Sequence, residues 1–301
     1  MDRYYWGVDL GGTKIECAVI ERSTDKCVVR ERIATESDQG YAHILNQIKL
    51  LIDRCAEQLG QRPLAIGFGT PGTLDPQHGV MKNCNSTALN NKPLDKDLSL
   101  LLNAKVVLAN DANCFALAEA HFGAAKRVKP HAEVVFGIIM GTGVGSGIVV
   151  NGKGLYGCHG IAGEWGHNVI EPNGAPCYCG QSGCLETVIS GKGLERFYCE
   201  QSGVALSLPE IVARAADNDR HAQATIARMS HYFGIAAAQI INVLDPDVIV
   251  IGGGVGNIDA LYQQAQQAIL PYLFNGELNT QIVKPDLGDS AGVFGAAALV
   301  K

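Results

Sequence analysis

The sequence predicts an α/β protein in which two lobes, each built on a sheet, face one another across a cleft, with a metal-binding insertion in the second lobe. Three observations carry that reading. A glycine turn between two strand-like runs opens the chain at "YYWGVDLGGTKIECAVI" and recurs at "VVFGIIMGTGVGSGIVVNGK". Each copy leads on to a helical stripe and then a continuous buried strand, so the chain reads as two diverged halves, and ligands usually bind between such halves. Between the second hairpin and its helix stands "HNVIEPNGAPCYCGQSGCLE", whose histidine and clustered cysteines are the metal-like segment.

In chain order, the opening hairpin is followed by "CVVRERI", a third strand beginning at Cys27, which makes an antiparallel meander. From Tyr41 to Leu59, Ile44, Ile48, Leu51, Ile52, Cys55 and Leu59 fall on one helical stripe, and "LAIGFG" follows as a buried strand. The strand "VVLA" precedes a helix expected to end at Gly123, and "EAHFGAAKRVKP" supplies a basic, proline-bounded turn as the boundary between lobes. After the second hairpin, "AQATIARMSHYFGIAAAQIINVL" reads as a long helix into the strand "VIVIGGG". The uncharged run Val134 to Val150 holds five glycines and is shorter than the roughly 20 apolar residues of a spanning helix, so a strand pair is expected there.

Composition narrows the partners. The chain has 301 residues, 47% hydrophobic and 18% charged, with a net charge of -6, which gives no electrostatic reason to expect nucleic acid or membrane as a partner. Small molecules are expected instead. Seven of the ten cysteines are scattered without framework spacing and no signal peptide precedes the first strand-like run, which points to a reducing cytoplasm. The 36 glycines fall in clusters, as they do where backbone approaches a ligand.

Those clusters carry the chemistry. In Asp9-Leu10-Gly11-Gly12-Thr13-Lys14, glycine amides can approach a phosphate chain, Thr13 and Lys14 add donors, and Asp9 can hold hydrated Mg²⁺. The alternative is a tight hairpin turn alone. Gly141-Thr142-Gly143 repeats the design, and two facing hairpins could grip the phosphates of a nucleotide. Gly252, Gly253 and Gly254 make room either for a purine ring or for close helix packing. Asp111 in Asn110-Asp111-Ala112-Asn113 is either a helix N-cap or a general base that takes a proton from a sugar hydroxyl attacking a γ-phosphate. Glu164 and Glu186 flank the metal-like segment and could accept hydrogen bonds from paired sugar hydroxyls. The spacing H-x9-C-x-C-x4-C of His167, Cys177, Cys179 and Cys184 completes a tetrahedral Zn²⁺ set, closed as structural zinc sites are, with no position left for water.

Taken in order, D-x-G-G-T-K, N-D-A-N, E-x-G-H, C-x-C-G-x-x-G-C-x-E and G-G-G resemble the bacterial ROK family (repressor, open reading frame, kinase) of sugar kinases over nearly the whole chain. The resemblance implies two ribonuclease-H-like lobes of the actin/hexokinase type with ATP and sugar in the cleft, and a homodimer. It makes Asp111 the catalytic base and Asn110, Glu164, His167 and Glu186 sugar contacts, to which Gly72 and Asn85 are added. The nucleotide, with Mg²⁺, would lie against Asp9, Gly11, Gly12, Thr13, Lys14, Gly141, Thr142, Gly143, Gly253 and Gly254. His167, Cys177, Cys179 and Cys184 become structural zinc ligands. The small lobe is expected over residues 1–122, rejoined by a C-terminal helix at about 290–301, and the large lobe over 123–289 with the zinc segment at 167–186.

The sugar is read from "KNCNSTALN" and the ending Leu287-Gly288-Asp289-Ser290, which resemble the fructokinase/mannokinase branch. Fructose to fructose 6-phosphate is therefore the favoured reaction, with mannose as a second substrate. N-acetylglucosamine kinase or glucokinase are the alternatives within the family. Asn85, Ser86 and Thr87 either select the sugar or form a polar turn. Repressors of the family carry a DNA-binding region, whereas eight residues precede Asp9 here, so a sugar-responsive regulator is the weaker reading, as is an actin-like ATPase module.

Overall fold

A computed structural model describes residues 3–301; Met1 and Asp2, at the start of the expected small lobe, and the side chain of Asp289 lie outside the described residues. The first half runs β1 (Tyr4–Leu10), β2 (Lys14–Glu21), β3 (Lys26–Ala34), α1 (Tyr41–Leu59), β4 (Ala65–Thr70), a small hairpin of β5 (Thr73–Leu74) and β6 (Met81–Lys82), α2 (Leu94–Leu102), β7 (Lys105–Asn110) and α3 (Asp111–His121). The second runs from a short α4 (Ala124–Val128) through β8 (Val134–Met140), β9 (Val144–Val150) and β10 (Lys153–Gly154) to α5 (Leu185–Ile189), α6 (Gly191–Ser202), α7 (Leu208–Ala216) and α8 (Arg220–Leu244). It ends with β11 (Val248–Gly252), α9 (Ala260–Gln263), α10 (Ala265–Ile269), β12 (Gln281–Val283) and α11 (Ala291–Ala298).

The two five-stranded sheets have the same plan. Their orders are β3-β2-β1-β4-β7 and β10-β9-β8-β11-β12. In each, a hairpin supplies the antiparallel strands and two later strands add in parallel, so the duplicated order read in the sequence corresponds to duplicated topology. The stripe on α1 packs on one face of the first sheet, where Ile44, Ile48, Leu51, Ile52 and Cys55 meet Trp6, Val8 and Phe68. Phe136 and Trp165 meet edge-on in the core of the second. Val134–Val150 is β8, a turn and β9, and among the described residues no helix is long and apolar enough to cross a membrane.

Each half lends its last helix to the other. α3 leaves the first sheet from β7 and packs on β8 and β9, whereas α11 leaves β12 and packs on β1, β2 and β4. The lobe expected to run through residue 122 thus hands α3 to the second sheet. Small residues permit the crossing: a Cβ on Gly295 of α11 would stand 1.7 Å from the Cys114 carbonyl oxygen of α3, and one on Gly67 of β4 would stand 1.8 Å from that of Ala296. Because backbone blocks both positions, Gly67→Ala is expected to destabilise by about 3 kcal/mol or more, against the usual 1–3 for overpacking. Urea unfolding measures it, and a loss below about 1 kcal/mol would contradict the close packing.

One boundary differs from expectation. The basic turn after Gly123 contains α4, because Ala124, Ala125, Lys126 and Arg127 are good helix formers and the buried Glu119 carboxylate accepts the Ala124 amide at 2.6 Å.

Candidate functional site

Asp9, the penultimate residue of β1, lies on the face toward α11. It is paired across the sheet with Glu16, and a Cβ on Gly292 of α11 would stand 2.7 Å from its carboxylate. Burial, then the charges of Glu16 and Asp111, push the Asp9 carboxyl up to about 6, while Lys14 and Arg32 pull the other way. Glu16, 3% exposed, is held by Arg30 and by Arg32, whose Nε donates at 2.9 Å.

The ordinary carboxyl value is 3.8, so the folded protein holds the Asp9 proton more tightly than the unfolded chain. Stability is accordingly lost as pH rises from about 4 through 6, because the native state binds more protons in that window. Asp9→Asn should be more stable than the parent by about 2 kcal/mol at pH 8, with the gap closing toward pH 4. Denaturant titrations at both pH values check this; an unchanged or weaker variant at pH 8 would contradict it.

The N-cap of α3 is Asn110, whose Oδ1 accepts the Asn113 amide at 2.8 Å. The capping alternative for Asp111 is thereby assigned to its neighbour. Asp111 is the first residue of the helix, exposed at its surface, with Oδ1 accepting only the Ala112 amide at 2.8 Å among the hydrogen bonds of the described residues. Surrounding protein raises its carboxyl above the usual range, and the Ala112 amide partly offsets that. Asn110, expected at the sugar, has its oxygen engaged in the cap and its amide nitrogen left to donate.

Around the first glycine turn, Thr35 and Ser37 bond the carbonyls of Gly11 and Gly12 at 2.7 and 2.9 Å, and the Thr35 amide bonds that of Thr13. Gly12, Thr13 and Lys14 are exposed. At the second turn, Gly141 and Thr142 line a cavity of about 1040 Å³ that also takes in Lys192, Glu195, Val212, Ile226, Asn257 and Gln263. The three glycines at the end of β11 divide the roles between which the sequence left a choice. Gly252 packs against Phe115, Gly253 adopts a φ of +82° against the Met140 carbonyl, and Gly254 opens onto the cavity. An apolar-walled space of this size beside a glycine turn suits a nucleoside with its phosphates leading to the turn. Lys192 and Glu195 of α6, and Asn257, were not singled out by the sequence reading. The available signal was Ser190-Gly191-Lys192-Gly193, an N-cap whose Gly191 amide bonds the Gly141 carbonyl at 2.7 Å.

In the metal-like segment, one donor atom from each of His167, Cys177, Cys179 and Cys184 lies within 4.8 Å of the others. His167 Nδ1 is 3.5 Å from Cys177 Sγ, and the sulfurs of Cys179 and Cys184 are also 3.5 Å apart. Bonds of about 2.3 Å at tetrahedral angles would separate sulfurs by roughly 3.8 Å, so the set fits one ion with little movement. Gly180 and Gly183, both at positive φ, turn the chain, and the Cys177 amide bonds the Gln181 carbonyl at 2.8 Å. An anchor not foreseen from sequence fastens the loop to α8: Glu171 accepts from Arg228 at 2.8 Å and from Tyr232 at 3.2 Å.

Both flanking glutamates hang from this cluster. Cys184 immediately precedes α5, which carries Glu186, and Glu164 immediately precedes the turn of helix bearing His167. Glu186 Oε2 accepts the Val144 amide at 2.8 Å, so one of its oxygens ties the metal segment to the second glycine hairpin and the other is left for a ligand. His167 Nε2 meets the Tyr178 hydroxyl at 3.0 Å, with Glu164 at 3.9 Å. His167, expected at both the zinc and the sugar, thus turns Nδ1 toward Cys177 and Nε2 toward a phenol.

Two expected sugar contacts are placed differently. Gly72 is buried, and a Cβ there would stand 2.5 Å from Cys84 Sγ, so close packing requires glycine at this position. Asn85 is exposed in a loop that closes on itself, with Asn83 at a φ of +57° and Asn90 bonding the Cys84 amide and carbonyl. The bonds that close the loop come from Asn90, and Ser86 reaches the first hairpin: a Cβ on Gly12 would be 3.3 Å from its Oγ.

With this geometry in place, comparison with known proteins is informative. The model of the ROK family matches residues 5–301. N-acetyl-D-glucosamine kinases of Histophilus somni and Haemophilus influenzae are each 38% identical to the chain, over 98% of its length and 98% of theirs. Among solved structures, a ROK hexokinase from Thermus thermophilus superposes with a TM-score of 0.88 at 32% identity, covering 98% of this chain and 97% of that one. A ROK family glucokinase from Streptomyces griseus, solved in complex with glucose and AMPPNP, gives 0.73 at 26% identity, covering 98% of each chain. The hexokinase-like α/β fold follows. These relatives lend no support to the fructokinase/mannokinase branch expected from Asn85 to Thr87.

Proposed function

This chain belongs to the ROK family, and from that premise we propose that it is an ATP-dependent sugar kinase whose substrate is N-acetyl-D-glucosamine, phosphorylated at the 6-hydroxyl. The observation that carries the reading is the release of Asp111 from capping. A carboxylate of raised pKa at a helix start, with Asn110 doing the capping, is free to take the proton of an attacking hydroxyl. Phosphoryl transfer otherwise asks a protein mainly for positioning and charge, since its transition state is loose.

The residues divide accordingly. The cavity beside Gly141 and Thr142 takes the nucleoside, and the two glycine turns take the phosphates. Asp9 fits a Mg²⁺ role, because a cation beside it would offset the burial and the charges of Glu16 and Asp111 that disfavour its ionised form. Mg²⁺ would supply charge neutralisation on the phosphates. Asn110, Glu164 and the free oxygen of Glu186 orient the sugar. The four donors of the His-Cys segment fit Zn²⁺, which in a closed set supplies structure and no activated water.

The sugar is tested by coupled ADP release across N-acetylglucosamine, N-acetylmannosamine, glucose, mannose and fructose. N-acetylglucosamine should give the highest kcat/KM; a higher value on fructose would restore the first expectation, and no sugar-dependent ADP release on any of them would favour a regulator.

A further inference from the structure

The chain crosses between lobes from β7 into α3 and from β12 into α11, and one carboxylate touches the far end of the first crossing and the approach to the second. Glu119, fully buried near the end of α3, accepts the amides of Ala124 at 2.6 Å, Asp286 at 3.2 Å and Leu287 at 3.2 Å. The space is built for it, because a Cβ on Gly123 would stand 2.2 Å from its Oε2. The same two segments are already fastened at the surface by Arg127 and Asp286, at 2.7 and 3.0 Å. Burying a carboxylate is costly, and an apolar residue would hold packing alone more cheaply. What three convergent amides add is a fixed register between α3 and the chain entering α11.

That register reaches both carboxylates of the site. α3 begins at Asp111, and Gly292, in the first turn of α11, lies against Asp9. We propose that Glu119 is a positioning residue for phosphoryl transfer: it locks the end of α3 to the approach of α11 and so fixes Asp111 relative to Asp9 as the lobes close. The role rests on the kinase reading above and adds to it a residue that touches neither substrate.

Glu119→Gln keeps the shape but cannot accept all three amides, since they fall on both oxygens and one becomes an NH₂ group. It should lower kcat about tenfold, as small misplacements of reacting groups do, with sugar KM and nucleotide Kd within about twofold. Arg127→Ala, which opens only the exposed pair, should stay within about twofold in kcat. A folded Gln variant with parental kcat overturns the proposal, and so does one whose nucleotide affinity falls in step with kcat, because the cavity lies wholly within the second lobe and its loss would mean general loosening. Should the variant not fold, amide exchange in the unaltered protein decides: Ala124, Asp286 and Leu287 should exchange slowly with and without sugar and a non-hydrolysable nucleotide, and fast exchange at Asp286 and Leu287 overturns the lock. That readout needs no turnover, so it separates failure of the lock from failure of the kinase reading.

Discussion

Asp111→Asn is expected to lower kcat by about 10²–10⁴, the range that a positioned general base contributes, while sugar and nucleotide still bind within a few-fold of the parent. The fold should survive, because the cap of α3 is Asn110 and its bond to the Asn113 amide does not involve Asp111. Replacing a carboxylate whose pKa the surrounding protein has raised removes a charge the folded state disfavours, so thermal stability at neutral pH should be unchanged or slightly higher. The pH profile gives a second readout. A base works ionised, so with its carboxyl raised the parent should lose kcat on acidification at a higher pH than an ordinary carboxylate would impose, with Asp9, near 6, contributing to the same limb. The residual activity of the variant should lack the Asp111 part of that limb. Near-normal turnover in a folded Asp111→Asn protein would remove Asp111 from the mechanism.

Cys179→Ser should cost one equivalent of bound zinc per chain and lower kcat/KM for the sugar by about 10–100-fold, the scale on which disturbed ligand surroundings reduce metal-dependent function. The effect is expected on the sugar first because His167 and Cys184 are next to the segments that carry Glu164 and Glu186. Nucleotide binding should fall less, since among the described residues the Glu186 bond to the Val144 amide is the hydrogen bond that connects this segment's carboxylates to the glycine hairpin. Metal analysis with sugar titrations of parent and variant measures both, and zinc-free protein that phosphorylates sugar normally would contradict the positional role.

Much of this was legible locally. The α1 stripe, the two glycine hairpins and the strand before Gly252 follow from periodicity and turn chemistry, which act over a few residues. The ligand spacing of His167, Cys177, Cys179 and Cys184 was equally readable, because a tight loop brings near neighbours together whatever the rest of the chain does. The sugar was not legible, because a run of polar residues around the exposed Asn85 suits a turn as well as a ligand and its composition does not by itself indicate which.

The sequence by itself determined the α/β class, the doubled hairpin-helix-strand order, the four-donor cluster and the choice of Asp111 as candidate base. Tertiary structure decided which neighbour caps α3, which glycines face a cavity and which face backbone, and that Glu186 is shared between the metal segment and the second hairpin. It also decided the exchange of α3 and α11 between sheets and the meeting of Glu119 with Leu287, 168 residues away. The physical reason is range. Propensity, capping and ligand spacing are settled within a few residues, whereas burial, close approach and a shared carboxylate depend on which distant segments the two packed sheets bring together.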